Sequence, residues 1–223
     1  MHWQPVALAD LGHQQAIDAR ALQVWWWPEA LQPQASNRRE RTDAILRTLL
    51  ACHVAMAPAG LLFGRESRGR PHLLHAGAPD FNLSDTQGGC VVAIAGSGRV
   101  GIDIERCERS LPATRLAARW FAADEAERLR ALDAESARRA FLRLWTAKEA
   151  SCKATGTGIY GQLAAWRFAM EAEDASPQPL AIPTDAGSVA EWRFHRLAPV
   201  ATHTVALAVR GNFMAPRGYT VVP

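Results

Sequence analysis

The sequence predicts a mixed α and β fold, and three observations bear on that expectation. At 223 residues and 48% hydrophobic, the chain can bury one sizeable core or two small ones. Short apolar runs that read as strands alternate with stretches whose apolar residues recur at helical spacing. Each half follows the coarse order of strand, helices and paired strands, which permits an internal duplication.

In chain order, Trp3 to Leu8 reads as a short strand and Gln14 to Val24 as a helical stretch. Trp25, Trp26 and Trp27 follow. Three adjacent tryptophans cannot all face one core, so at least one is expected at an interface or over a cavity. The next helix opens on Arg38-Arg39-Glu40-Arg41, with Ser36 as its N-cap, and runs to Met56. Arginines at a helix N-terminus oppose the macrodipole, a conflict that either a bound anion or a solvated basic face relieves. Leu61 to Phe63 reads as a strand and Arg65 to Pro71 as a basic turn. Phe81 to Gly89 reads as a loop that enters a helix or lines a pocket.

Val91 to Ala95 and Val100 to Glu105 then read as a hairpin across Gly96-Ser97-Gly98-Arg99. Strict alternation puts Ile102 and Ile104 on one face, Asp103 and Glu105 on the other. Two adjacent carboxylates repel. Either Arg106 and Arg109 neutralise them on a wet face, or a hard cation does, since Mg²⁺ takes a few carboxylates and leaves room for phosphate oxygens.

Leu111 to Glu125 reads as helical, with Asp124 or Glu125 in the first turn of a further helix through Asp133. From Ser136 a longer helix follows, ended by Gly156. On it Glu149 and Lys153 are i, i+4 neighbours in the favourable order. Of 25 basic Lys and Arg residues only Lys148 and Lys153 are lysine. A chain that otherwise uses the wide guanidinium fork keeps a compact cation at these two positions. Beyond Gly158, Ala165 to Met170 reads as a strand and residues 173–188 as a mobile connection. Glu191 to Leu197 and Thr204 to Val209 read as a closing hairpin, and the last ten residues as a loose tail.

The net charge of +3 and pI near 8.9 favour an acidic partner or a phosphate-rich ligand and are too weak to indicate nucleic acid. Cys52, Cys90, Cys107 and Cys152 are widely spaced, which fits free thiols rather than a zinc site or a disulfide frame. No apolar segment reaches about 18 residues, and the N-terminus lacks a leader pattern. The expectation is a cytoplasmic protein with no membrane segment.

Gly101-Ile102-Asp103-Ile104-Glu105, Phe121 to Glu125, and Trp145-Thr146-Ala147-Lys148-Glu149-Ala150-Ser151-Cys152-Lys153 together resemble the 4′-phosphopantetheinyl transferases of the large monomeric, surfactin-synthetase-activating type. Upstream, Gly69-Arg70-Pro71 and Phe81-Asn82-Leu83-Ser84 are similar to that family's glycine-basic-proline and Phe-Asn-(Ile/Leu)-Ser motifs. Each motif alone is weak; five in the family's order are specific.

The resemblance implies an α+β fold of two similar halves, 1–98 and 99–223, related by a pseudo-twofold. Each half would be a small antiparallel sheet packed with a long helix, with coenzyme A in the cleft between them. It implies Mg²⁺ held by Asp103, Glu105 and Glu149, and transfer of the phosphopantetheine arm of coenzyme A to a serine of an apo acyl or peptidyl carrier protein, releasing 3′,5′-ADP. Lys153 or Lys148 would meet a phosphate oxygen, and Glu149 or Glu125 would take the serine proton. Arg70 and Pro71, with Arg38 or Arg39, fall near the adenosine phosphates, and Ser84 donates to the 3′-phosphate. Asp85 departs from the family's usual His and is expected to turn toward a backbone N–H or an arginine such as Arg70. Ile159, Tyr160 and Gln162, with Leu116 to Phe121, are the expected docking edge. A Mg²⁺-dependent phosphohydrolase and a coenzyme A- or carrier-binding module with little turnover are the competing readings.

Overall fold

The computed structural model describes residues 1–13, 17–170, 172 and 175–223. The fold is α+β, in two compact units: residues 1–100 with 211–223, and residues 101–210. The first unit contains β1 (Trp3–Ala7), β2 (Leu22–Pro28), α1 (Arg38–Leu50), the small hairpin β3 (Phe63–Arg65) and β4 (Pro71–Leu73), β5 (Asp80–Thr86) and β6 (Gly89–Ala95). β7 (Arg99–Arg106) leads into the second unit. There follow α2 (Ala113–Trp120), α3 (Ala123–Arg130), α4 (Ala134–Thr155), β8 (Arg167–Phe168), β9 (Pro179–Ala181), β10 (Trp192–Leu197) and β11 (His203–Arg210). β12 (Arg217–Val222) belongs again to the first unit.

The first unit is built on a five-stranded sheet of order β1-β12-β2-β6-β5. It is mixed rather than antiparallel as expected: β12 runs parallel to both β1 and β2, while β2, β6 and β5 pair antiparallel. On one face Trp25, Trp27, Phe81, Val92 and Ile94 pack with Ile45, Leu49 and Leu50 of α1. Trp26 points to the other face, as alternation along a strand requires, and is buried there too.

Several local expectations change. Residues 14–16 of the expected Gln14–Val24 helix lie outside the described residues, and Leu22 to Val24 belong to β2. Asn37, not Ser36, caps α1, accepting from the Glu40 N–H at 3.0 Å. Phe81 to Thr86 is strand rather than loop, because Phe81 alternates into the core while the backbone pairs with β6. The hairpin expected of Val91–Ala95 with Val100–Glu105 does not form: β6 lies in the five-stranded sheet and β7 in the three-stranded sheet of order β10-β11-β7. The division expected between residues 98 and 99 falls between 100 and 101. The loose tail is β12, the partner of two strands.

In the second unit α4 packs on β11, and the core gathers Phe141, Leu144, Ala147 and Ala150 of α4 with Trp166, Phe168, Trp192 and Phe194. The helical stretch expected to run from Leu111 to Glu125 breaks at Phe121 and Ala122, both extended, before α3 begins. Asp133 caps α4 by accepting from the Glu135 and Ser136 N–H groups, and Gly156 ends it at φ 73°, a left-handed conformation that glycine adopts at no steric cost. The strand expected at Ala165–Met170 is only β8. In place of a mobile connection, the described part of 173–188 holds β9 and buried Pro177 and Ala186. Among the described residues no helix is long and apolar enough to cross a membrane.

Candidate active site

The site in the second unit begins with a missing side chain. A Cβ on Gly101 would sit 2.0 Å from the Ala150 carbonyl oxygen and 2.4 Å from the Ala154 nitrogen, so glycine is what lets α4 lie on this face of β7. Asp103 and Glu105 share that face by two-residue alternation, and both are buried. From α4, Lys153 Nζ donates to Asp103 Oδ1 at 2.6 Å and stands 3.8 Å from Glu149 Oε2. Arg109 pairs with Glu105 one short turn further along the chain.

Asp103, Glu105 and Glu149 thus lie together with the cations of Lys153 and Arg109. Burial, and then the charge of Asp103, push the Glu149 carboxyl up to about 7 against the pull of Lys153. Burial and Asp103 likewise raise Glu105, with Arg109 opposing. Among the described residues no three His, Cys, Asp or Glu side chains are already gathered as a metal cage. The donor set nevertheless fits Mg²⁺, which prefers oxygen, takes few carboxylates and fills its shell with water and phosphate oxygens.

Lys148 and Glu125 are a different construction. Both are 0% exposed. Lys148 Nζ donates to Glu125 Oε2 at 2.7 Å, to the Leu163 carbonyl at 2.9 Å and to the Trp166 carbonyl, and lies 4.7 Å over the Phe121 ring. Glu125 also accepts from the Phe168 and Ala122 N–H groups, at 3.1 and 3.2 Å. Burial lowers the lysine's pKa, and Glu125 opposes that. The pair clamps α3 and α4 to the segment 163–168. Enclosed and satisfied, Lys148 is not placed to meet a phosphate, nor Glu125 to take a proton from a substrate.

The first unit revises the anion-binding expectations. Arg70 is buried and structural: its two Nη atoms hold Asp80 at 2.8 and 2.7 Å, and Nη2 also donates to the Val100 carbonyl at 2.9 Å. Asp85 does turn to an arginine, but to Arg38, whose Nε lies 2.9 and 2.8 Å from its two oxygens. Ser84 is buried on β5. Arg39 and Pro71 line a pocket of about 850 Å³ together with Arg65 and Asn82.

Of the expected docking edge, Tyr160 is 78% exposed and meets Trp120 edge-on at 5.7 Å, while Arg119 covers the Trp120 ring. Phe121 drops out, buried and stacked on Phe141 at 5.0 Å. Sequence reasoning missed the close packing at Gly101. The row Ala147, Ala150, Ala154, small residues along one side of α4, was its available signal.

The sequence profile of the 4′-phosphopantetheinyl transferase superfamily matches residues 99–209, nearly the whole second unit. The 4′-phosphopantetheinyl transferase HetI of Nostoc sp. is 31% identical over 188 residues, covering 83% of this chain and 76% of its own. A putative 4′-phosphopantetheinyl transferase of Synechocystis sp. is 34% identical, over 59% of this chain and 54% of its own. The 4′-phosphopantetheinyl transferase of Bacillus subtilis is 32% identical over 52% of this chain and 51% of its own. The match thus spans about half the length of the latter two and three quarters of the Nostoc protein. On that evidence the chain belongs to the 4′-phosphopantetheinyl transferase superfamily.

Proposed function

We propose that Asp103, Glu105, Glu149 and Lys153 carry the chemistry of this transferase. The phosphopantetheine arm passes from coenzyme A to a serine of an apo acyl or peptidyl carrier protein. The serine oxygen bonds to the β-phosphorus, the bond of that phosphorus to the bridging diphosphate oxygen breaks, and 3′,5′-ADP leaves. The observation that carries the proposal is the Lys153–Asp103 contact with Glu149 beside it, on a face that Gly101 opens to α4.

Little covalent work falls to an enzyme in phosphoryl transfer, so these side chains position and balance charge. Asp103, Glu105 and Glu149 would hold Mg²⁺, which supplies neutralisation of charge developing on the diphosphate. Lys153, partly exposed and compact, supports a role as a point charge toward a phosphate oxygen. With Glu125 enclosed, Glu149 is the carboxylate left to accept the serine proton, directly or through water. Arg39 and Pro71, in the pocket of the first unit, are proposed for the nucleotide end of coenzyme A, with the Arg38–Asp85 pair and Ser84 as further contacts. Four free cysteines support a reducing, cytoplasmic setting.

The test is mass spectrometry of apo-carrier proteins incubated with enzyme, coenzyme A and Mg²⁺. A carrier heavier by one phosphopantetheine is expected with the native enzyme. Asp103→Ala and Glu149→Ala should abolish that gain while keeping the native circular dichroism spectrum. Full transfer by Asp103→Ala would overturn the assignment, and release of nucleotide without a heavier carrier would mark a hydrolase.

A further inference from the structure

The buried Lys148–Glu125 pair and the surface aromatics Trp120 and Tyr160 are joined through the chain itself. Trp120 immediately precedes Phe121, over whose ring Lys148 Nζ lies at 4.7 Å. Ala122, the next residue, donates its N–H to Glu125 at 3.2 Å. Tyr160 stands three residues before Leu163, whose carbonyl accepts from Lys148 Nζ at 2.9 Å. The Trp166 carbonyl and the Phe168 N–H bind the same pair. One enclosed ion pair thus fixes the chain beside both aromatic side chains, which meet edge-on at 5.7 Å.

The turn that carries Tyr160 needs such an anchor. Gly158 and Gly161 flank Ile159 and Tyr160 at φ 72° and 74°, and a Cβ on either glycine would meet nothing within 4 Å. Glycine loses more backbone freedom on ordering than any other residue, and open surroundings return no contact for it. Tyr160 is itself largely exposed. Apart from Ile159, which packs partly on the core, the order of this turn comes from its ends: the close of α4 at Gly156 and the carbonyls that Lys148 gathers. The surroundings of the aromatic pair are basic. α2 carries Arg115 and Arg119, both exposed, and no carboxylate, and Arg119 lies 5.0 Å over the Trp120 ring. Tyr, Trp and Arg are the side chains that carry most of the energy at protein interfaces.

We infer that the Lys148–Glu125 pair is a positioning element for the carrier protein. It holds Trp120 and Tyr160 together as a platform, flanked by Arg115 and Arg119, on which an acidic carrier face with an apolar centre docks. Charge complementarity commits the occupant, since a helix bearing two arginines and no carboxylate favours a partner of opposite sign. Enclosed as it is, the pair acts through the platform and not on the reacting groups. The inference rests on the proposed carrier-protein reaction and adds to it how the second substrate is met.

Transfer kinetics test it, with carrier protein and coenzyme A varied in turn. Tyr160→Ser, a surface change, should raise KM for the carrier by about fivefold or more and leave KM for coenzyme A and kcat at native values. Lys148→Met/Glu125→Gln, which removes both buried charges together, should raise the same KM. Adding Tyr160→Ser to that double variant should change it little further, because both act on one platform. Effects that multiply, an unchanged carrier KM, or an equal rise in KM for coenzyme A would overturn the inference, since a merely structural pair weakens every step alike. If the double variant does not fold, Glu125→Gln, which keeps the side chain's shape, takes its place in the cycle. Chymotrypsin separates this failure from failure of the transfer reaction. The chain has two tyrosines, Tyr160 and Tyr219. Cleavage after Tyr160 should quicken on the order of tenfold in the double variant, while cleavage after Tyr219 stays as in the native chain. Equal cleavage after Tyr160 in both proteins overturns the positioning; a native enzyme that modifies no carrier overturns the transfer reading instead.

Discussion

Lys148 and Lys153 differ in what their shared chemistry is used for. At 100° per residue, five residues separate two side chains by about 140° around a helix, so they cannot serve one site. Lys148 is walled in by Glu125, two carbonyls and the Phe121 ring, with no room for a wider head group. Lys148→Arg should therefore lower stability by about 1–3 kcal/mol, the range for overpacking a core, and show it as a lower Tm. Lys153→Arg should keep the native Tm and lose turnover, because its neighbours leave space but its compact charge is what meets Asp103. Normal turnover in Lys153→Arg would show that a compact cation is not required. Glu149 supplies a pH test. Its carboxyl titrates near 7 in the fold against 4.5 unperturbed, so the folded protein binds the extra proton between those values. In metal-free enzyme that contribution is fully present below about pH 4.5 and is lost as pH rises through 7. It amounts to something on the order of 3 kcal/mol. Glu149→Gln should flatten this part of the stability profile in EDTA, and an identical slope in both proteins would refute it. Mg²⁺ should stabilise the native enzyme more at pH 8 than at pH 5, since a ligating carboxylate must be ionised.

Between elements, the site depends on how closely β7 and α4 approach. Gly101→Ala would place a methyl group 2.0 Å from the Ala150 carbonyl, and backbone cannot give way there as a flexible side chain could. The expected outcome is a Tm loss of the size seen for overpacked cores, about 1–3 kcal/mol, together with lost transfer, as Asp103 moves away from Lys153. Retained activity with a lowered Tm would show that the chemistry tolerates a wider gap. The clamp between α3 and α4 calls for a paired test. Lys148→Met alone leaves the buried Glu125 carboxylate without its cation, a cost of about 3–5 kcal/mol. Adding Glu125→Gln should recover much of it, measured by urea unfolding. Both arrangements were partly legible in the sequence. The Asp103/Glu105 face follows from a period of two and the Glu149/Lys153 row from a period of 3.6, and both are local rules. That Lys148 and Glu125 face inward, and that Asp85 meets Arg38 rather than Arg70, depends on contacts 23 and 47 residues apart, which no local period encodes.

At the scale of the molecule, the largest departure from the sequence reading is at the end of the chain. Residues 214–223, Met-Ala-Pro-Arg-Gly-Tyr-Thr-Val-Val-Pro, carry one short β-branched run and read as a loose tail. As β12 that run sits between β1 and β2, with Val221 buried and Tyr219 stacked on Trp25 at 4.5 Å. Deleting residues 211–223 should therefore cost far more than trimming a tail. β1 loses its partner, β2 gains an open edge, and the product should aggregate or lose the cooperative unfolding transition of the full chain. A soluble truncation with a native-like melt would contradict this. The placement of β12 also bears on the order in which the protein is made. A ribosome releases β1 and β2 before β12, with the whole of residues 101–210 in between. The emerging chain must therefore hold a half-built sheet, with β1 awaiting β12, while the later unit takes shape. Nascent-chain complexes stalled before residue 217 should expose that gap to chaperones and proteases, and the exposure should end abruptly once β12 clears the exit tunnel.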